Sequence, residues 1–149
     1  MIDEYERLVN YMFYDSFKKC VITNNGGRPS KQTFDTNKVK GRELKSFLSF
    51  NKDDKETVWK VLDWHKDELS DKYVPFCIDN FGNLICFDAS NDRVIFLNHE
   101  NTSIEMIADG FDEFMNGLYS VPNVEAFGQV GLNQTAKKTT ILEALKFRK

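Results

Sequence analysis

A chain of 149 residues and 17.3 kDa has room for one core, because a domain of this size buries about 68–70% of its unfolded surface. With 41% apolar, 29% charged and 13% aromatic residues, it is not a disordered chain, a collagen-like repeat or a disulfide scaffold. The net charge of −3 hides a segregation: residues 1–52 carry ten basic and six acidic side chains, 53–113 five and fifteen, and 114–149 five and two.

Tyr5, Leu8, Val9, Met12, Phe13, Phe17, Cys20 and Val21 recur at i, i+3, i+4 steps, which predicts one amphipathic helix over Ile2–Thr23. Asn24-Asn25-Gly26-Gly27-Arg28-Pro29 ends it: glycine accepts the left-handed conformation of a helix terminus and proline blocks continuation. Leu44–Phe50 reads as a strand. Asp53 followed by Glu56 resembles a capping box, predicting a second helix from Asp53 that buries Val58, Val61, Leu62, His65 and Leu69. Trp59 and Trp64 fall at the margins of that face.

The period then changes. Val74–Ile78, Leu84–Phe87 and Arg93–Leu97 are β-prone runs separated by the turn formers Asp79–Asn83 and Asp88–Asp92. Connections this short make an antiparallel meander over about 74–97. Leu84–Phe87 is apolar at every position, so the sheet is expected to be covered on both faces. Thr102–Ala108 fits a strand or the entry to a helix, and Phe111, Phe114, Met115 and Leu118 mark a short helix. Thr140-Ile141-Leu142-Glu143 is a capping box opening a basic helix. The predicted class is α+β: a central, mostly antiparallel sheet flanked by helices. Residues 1–121 form the expected domain, and 122–149 an extension packed on it.

No nucleotide-binding, zinc-protease or serine-hydrolase motif is present in the sequence. Cys20, Cys77 and Cys86 contain no C-x-x-C pair, which favours buried thiols in a reducing compartment. His65 is expected at a core boundary. His99-Glu100 places imidazole beside carboxylate, the vocabulary of acid–base chemistry, but adjacent residues at a strand end point in opposite directions. Asp79, Asp88, His99 and Glu100 have no recognised metal-ligand spacing, so neither a metal nor a cofactor is expected. The basic loop from Arg28 to Lys45 lacks a nucleic-acid recognition motif, and the sequence pI is 5.4. The apolar run of a membrane span and the basic flank of a signal peptide are also missing from the sequence, so a soluble, cytoplasmic protein is expected.

Asn25-Gly26-Gly27-Arg28-Pro29, Phe47–Phe50 and the run from Val74 to Asp88, with its P-F-x-x-D-x-F-G-N-x-I-C-F-D pattern, resemble the SUKH superfamily. That superfamily is named partly for yeast cell-wall-assembly regulators and contains many bacterial toxin-immunity proteins. The resemblance spans about residues 13–119. A Leu-Pro that usually opens the first conserved helix is missing near Phe13-Tyr14. The resemblance implies an α+β fold, no enzyme activity, and an antidote that binds a cognate polymorphic toxin. A basic, nuclease-type toxin would suit the acidic middle segment. A regulatory scaffold for endogenous partners is the alternative, and an enzyme using His99 and Glu100 ranks third. Gly26, Gly27, Pro75, Phe76, Asp79, Gly82, Asn83 and Asp88 are expected to be structural, and Asn80, Phe81, His99 and Glu100 to contact the partner.

Overall fold

A computed structural model describes residues 2–121. The predicted basic helix and the rest of the 122–149 extension lie outside the described residues.

The order is α1 (Ile2–Val9), α2 (Asp15–Asn24), β1 (Thr33–Phe34), β2 (Arg42–Glu43), β3 (Ser46–Phe47), α3 (Val58–Trp64), α4 (Lys66–Leu69), β4 (Tyr73–Ile78), β5 (Leu84–Asp88), β6 (Val94–Leu97), β7 (Ile104–Ala108) and α5 (Phe111–Gly117). Strands β3-β4-β5-β6-β7 form one sheet in sequence order, every pair antiparallel, and β1–β2 form a separate ribbon. The fold is α+β, and the meander takes the predicted strands. Thr102–Ala108 resolves as the fourth strand of that meander, β7.

The single long N-terminal helix is corrected to two. Asn10 adopts φ 54° just after α1, and the Tyr11 N–H bonds the Glu6 carbonyl at 3.1 Å, a six-to-one closure that ends the helix. The Glu6 carboxylate, 4% exposed, then accepts the Phe13 N–H at 2.8 Å and lies 3.3 Å from Lys18. Apolar spacing passes smoothly through this break because Tyr5, Phe13 and Phe17 all reach the same core.

The start of the next helix moves as well. Thr57, not Asp53, caps α3 by accepting the Lys60 N–H at 3.1 Å. Residues 51–56 double back, so that Ser49 pairs with Thr57 through the Val58 N–H and the Glu56 carbonyl. The Leu44–Phe50 segment contributes only Ser46–Phe47 to the sheet.

Every residue of β4 from Val74 to Ile78, of β5 from Leu84 to Phe87, and of β6 is buried, so both faces of the sheet centre are covered. On one face Phe17 of α2 and Phe111 of α5 meet Phe76 and Phe87, whose rings stack at 4.3 Å. Helix α3 packs on β4, and the Tyr5 hydroxyl of α1 points at the Pro75 carbonyl. Pro75 sits inside a paired strand at a register shift, where its missing N–H does least damage to the ladder. Cys77 and Cys86 are buried and free; burial pushes both thiols well up.

Candidate partner-binding site

The connections β4–β5 and β6–β7 lie at the same end of the meander, and sequence-local hydrogen bonding shapes both. In the first, the Asp79 N–H bonds the Asn83 carbonyl at 3.0 Å. The Asp79 Oδ1 accepts the N–H groups of Phe81 and Asn83, each at 2.8 Å, and Oδ2 accepts Asn83 Nδ2 at 3.0 Å. Asp79 and Asn83 are themselves buried. Gly82 takes φ 85°, and a Cβ there would stand 3.3 Å from His99 Nε2. In the second connection, Asn98 Oδ1 accepts the Glu100 N–H at 2.9 Å.

Two bonds tie the turns together. The His99 N–H donates to Asn83 Oδ1 at 3.1 Å, and His99 Nε2 donates to the Phe81 carbonyl at 2.9 Å. A carbonyl only accepts, so this contact places the ring hydrogen on Nε2. The Phe81 backbone is therefore held from the Asp79 side and the His99 side at once. Its ring, however, is 80% exposed. Asn80 and Glu100 are exposed beside it, and His99 is half-buried.

The four predicted contact residues thus converge on one end of the sheet. His99 differs from the expectation of an exposed neighbour: it braces the tip. No hydrogen bond or ion pair joins it to Glu100 among the described residues. The residues expected to be structural are placed as follows. Gly26 has φ 71° with a would-be Cβ 3.3 Å from Ser49 Cβ, and the Gly27 N–H bonds the Asn24 carbonyl at 2.7 Å. Phe76 is core, and Asp88 Oδ1 accepts the Ser90 N–H and hydroxyl at the opposite end of the sheet.

One neighbour escaped the sequence reading. The His65 ring lies edge-on to His99, with centroids 5.9 Å apart and planes at 74°. Its Nδ1 is 3.7 Å from the Glu68 carboxylate. Burial holds the imidazole of His65 below its ordinary value, Glu68 opposes the shift, and His99 adds to it. The α-helical spacing marked His65 as a boundary residue, but His99 lies 34 positions away in the sequence and nothing in either segment signals the contact. Among the described residues, no group of three or more His, Cys, Asp or Glu side chains could hold a metal ion, and no helix is long and apolar enough to cross a membrane.

The turn network, the buried meander before and after it, and the helices on the sheet coincide with a family match: residues 1–115 fit the family model SUKH_6, described as SMI1-KNR4 cell-wall. The chain belongs to the SUKH family. That family is known for immunity proteins. This SUKH chain is 29% identical over 73 residues to the SPbeta prophage-derived uncharacterized protein YokK of Bacillus subtilis (strain 168). The match covers 46% of this chain and 38% of that relative. No solved structure matches the chain.

Proposed function

We propose that this SUKH protein is an immunity protein, which binds a cognate protein toxin of basic, nuclease-type chemistry and blocks it. The observation that carries this is the end of the sheet: a large aromatic side chain stands in solvent on a turn fixed by six hydrogen bonds among Asp79, Phe81, Asn83 and His99. Exposed aromatics on a rigid support suit protein recognition, because little conformational freedom is lost when they are buried by a partner. The surrounding sequence supports a basic partner, since residues 53–113 carry ten more acidic than basic side chains and such a field steers a cationic surface into contact. A nuclease has to offer positive potential to its polyphosphate substrate, and an acidic protein can occupy that same surface.

The geometry gives less support to acid–base chemistry. The imidazole of His99 is engaged by the Phe81 carbonyl and does not bond Glu100.

The test is co-expression with the toxin encoded beside this gene. The expected result is restored growth and a stoichiometric complex on size-exclusion chromatography. Growth arrest despite abundant, folded protein would refute the proposal. Recovery of a stable complex from cells lacking the toxin gene would favour the scaffold alternative instead.

A further inference from the structure

Helix α3 runs along β4 and ends where His65 meets His99, so its last residue, Trp64, belongs to the same end of the molecule as the Phe81 tip. Trp64 is 61% exposed. It makes no hydrogen bond or ring contact among the described residues, whereas Trp59, one turn earlier, donates its indole N–H to the Phe50 carbonyl and packs on Tyr5. The two tryptophans of this helix therefore have different fates, one internal and one facing solvent.

The charge around Trp64 is one-sided. Asp63, Asp67 and Glu68 flank it on the α3–α4 corner, and Glu100 stands across the His65–His99 contact. Among the described residues, Lys66 is the one basic residue of that corner, and it is paired with Asp63 at 3.6 Å. His65 does not offset this at neutral pH, since burial favours its uncharged form. This end of the molecule thus carries two exposed aromatic residues, Trp64 and Phe81, together with an acidic rim.

We propose that the docking surface of this protein extends from the β4–β5 tip across the His65–His99 contact to the α3–α4 corner. Trp64 and Phe81 are its two anchors, and its partner presents a cationic protein surface that receives both rings. This rests on the immunity reading above and deepens it by adding a second element to the interface. Tryptophan is the residue most concentrated among binding hot spots, and arginine-bearing surfaces stack well on indole and phenyl faces. The acidic rim accelerates encounter and excludes neutral or acidic competitors, while the two rings slow dissociation.

The experiment measures association and dissociation of the full chain with the neighbour-encoded toxin by surface plasmon resonance. Trp64→Ala and Phe81→Ala are each expected to raise Kd about tenfold or more, chiefly through faster dissociation. The paired charge reversals Asp67→Lys and Glu100→Lys should slow association about tenfold at low salt and flatten its salt dependence. Ile22→Ser, on the exposed side of α2 at 73% exposure, should change nothing. All these positions are exposed, and circular dichroism melts confirm that the variants fold. If the toxin binds wild type but Trp64→Ala is indistinguishable from it, the extended surface is wrong while the immunity reading stands. If wild type does not bind the toxin, both fall.

Discussion

Removing the Asp79 carboxylate tests whether the tip is as firmly built as its hydrogen bonds indicate. In Asp79→Ala three donors lose their acceptor: the N–H groups of Phe81 and Asn83, and the Asn83 side-chain amide. The Phe81 N–H is part-exposed and can turn to water. The two Asn83 donors are buried, and each unsatisfied buried donor costs roughly 1–3 kcal/mol, so the expected loss is about 4 kcal/mol. For a chain near 150 residues each kcal/mol lowers Tm by about 2–4 °C, which converts to a fall of about 8–16 °C. Asp79→Asn is the informative companion. Its amide oxygen still accepts both backbone N–H groups, but its NH2 meets the Asn83 NH2, donor against donor, so about half the loss is expected. Thermal unfolding by circular dichroism reads both variants against wild type. A melt of Asp79→Ala within about 3 °C of wild type would mean that water serves the turn as well as the carboxylate does, and that the Asp79 network does not hold the tip.

Gly82→Ala forces a side chain onto φ 85° and against His99 Nε2 at 3.3 Å; the expected cost is about 1–2 kcal/mol by urea denaturation, together with a shifted His99 ring resonance in NMR. Glu105→Gln breaks the two-bond Arg42 pairing at 2.9 Å and 2.9 Å, which joins β2 to β7, and should cost about 2 kcal/mol in the same assay. The Arg42 hydrogen bond holds Glu105 below its ordinary value. Its contribution is therefore complete above about pH 4.3 and is lost as pH falls through the folded-state value. His65 is also held below its ordinary value, so the folded state binds fewer protons than the unfolded one. Stability should be complete above about pH 6.5 and decline as pH drops from there; the drop in Tm between pH 8 and pH 5 should shrink in His65→Gln. Asn10→Ala places an ordinary side chain at φ 54° between α1 and α2 and should cost about 1 kcal/mol in a thermal melt.

The meander was legible in the sequence because its runs are unbroken and its turns are rich in Asp, Asn and Gly. Leu84–Phe87, apolar throughout, correctly announced a sheet covered on both faces. Thr102–Ala108 was ambiguous because Glu105 interrupts an apolar run, and it is inside only because Arg42, 63 positions away, receives it. The break between α1 and α2 was hidden for a related reason. Apolar periodicity reports which side faces the core and is blind to a turn that returns the chain to the same core, here made by Asn10 and Glu6. The Asp53 capping box failed because a better acceptor, Thr57, lies directly before the buried Val58 and Val61. At the candidate site, local chemistry identified Asp79, Gly82 and Asn83 as turn builders, and Phe81 was named with Asn80, His99 and Glu100 only as an exposed neighbour expected to contact the partner. The bracing role of His99 and the approach of His65 depend on tertiary packing of α3 against β4, which no local pattern carries.

Hydrogen–deuterium exchange of the chain with and without the neighbour-encoded toxin tests whether this end of the sheet is the interface. Slowed exchange is expected only at residues 79–83, 98–102 and the α3–α4 corner, with α2 unchanged. Protection that leaves those segments untouched and appears elsewhere would contradict that placement.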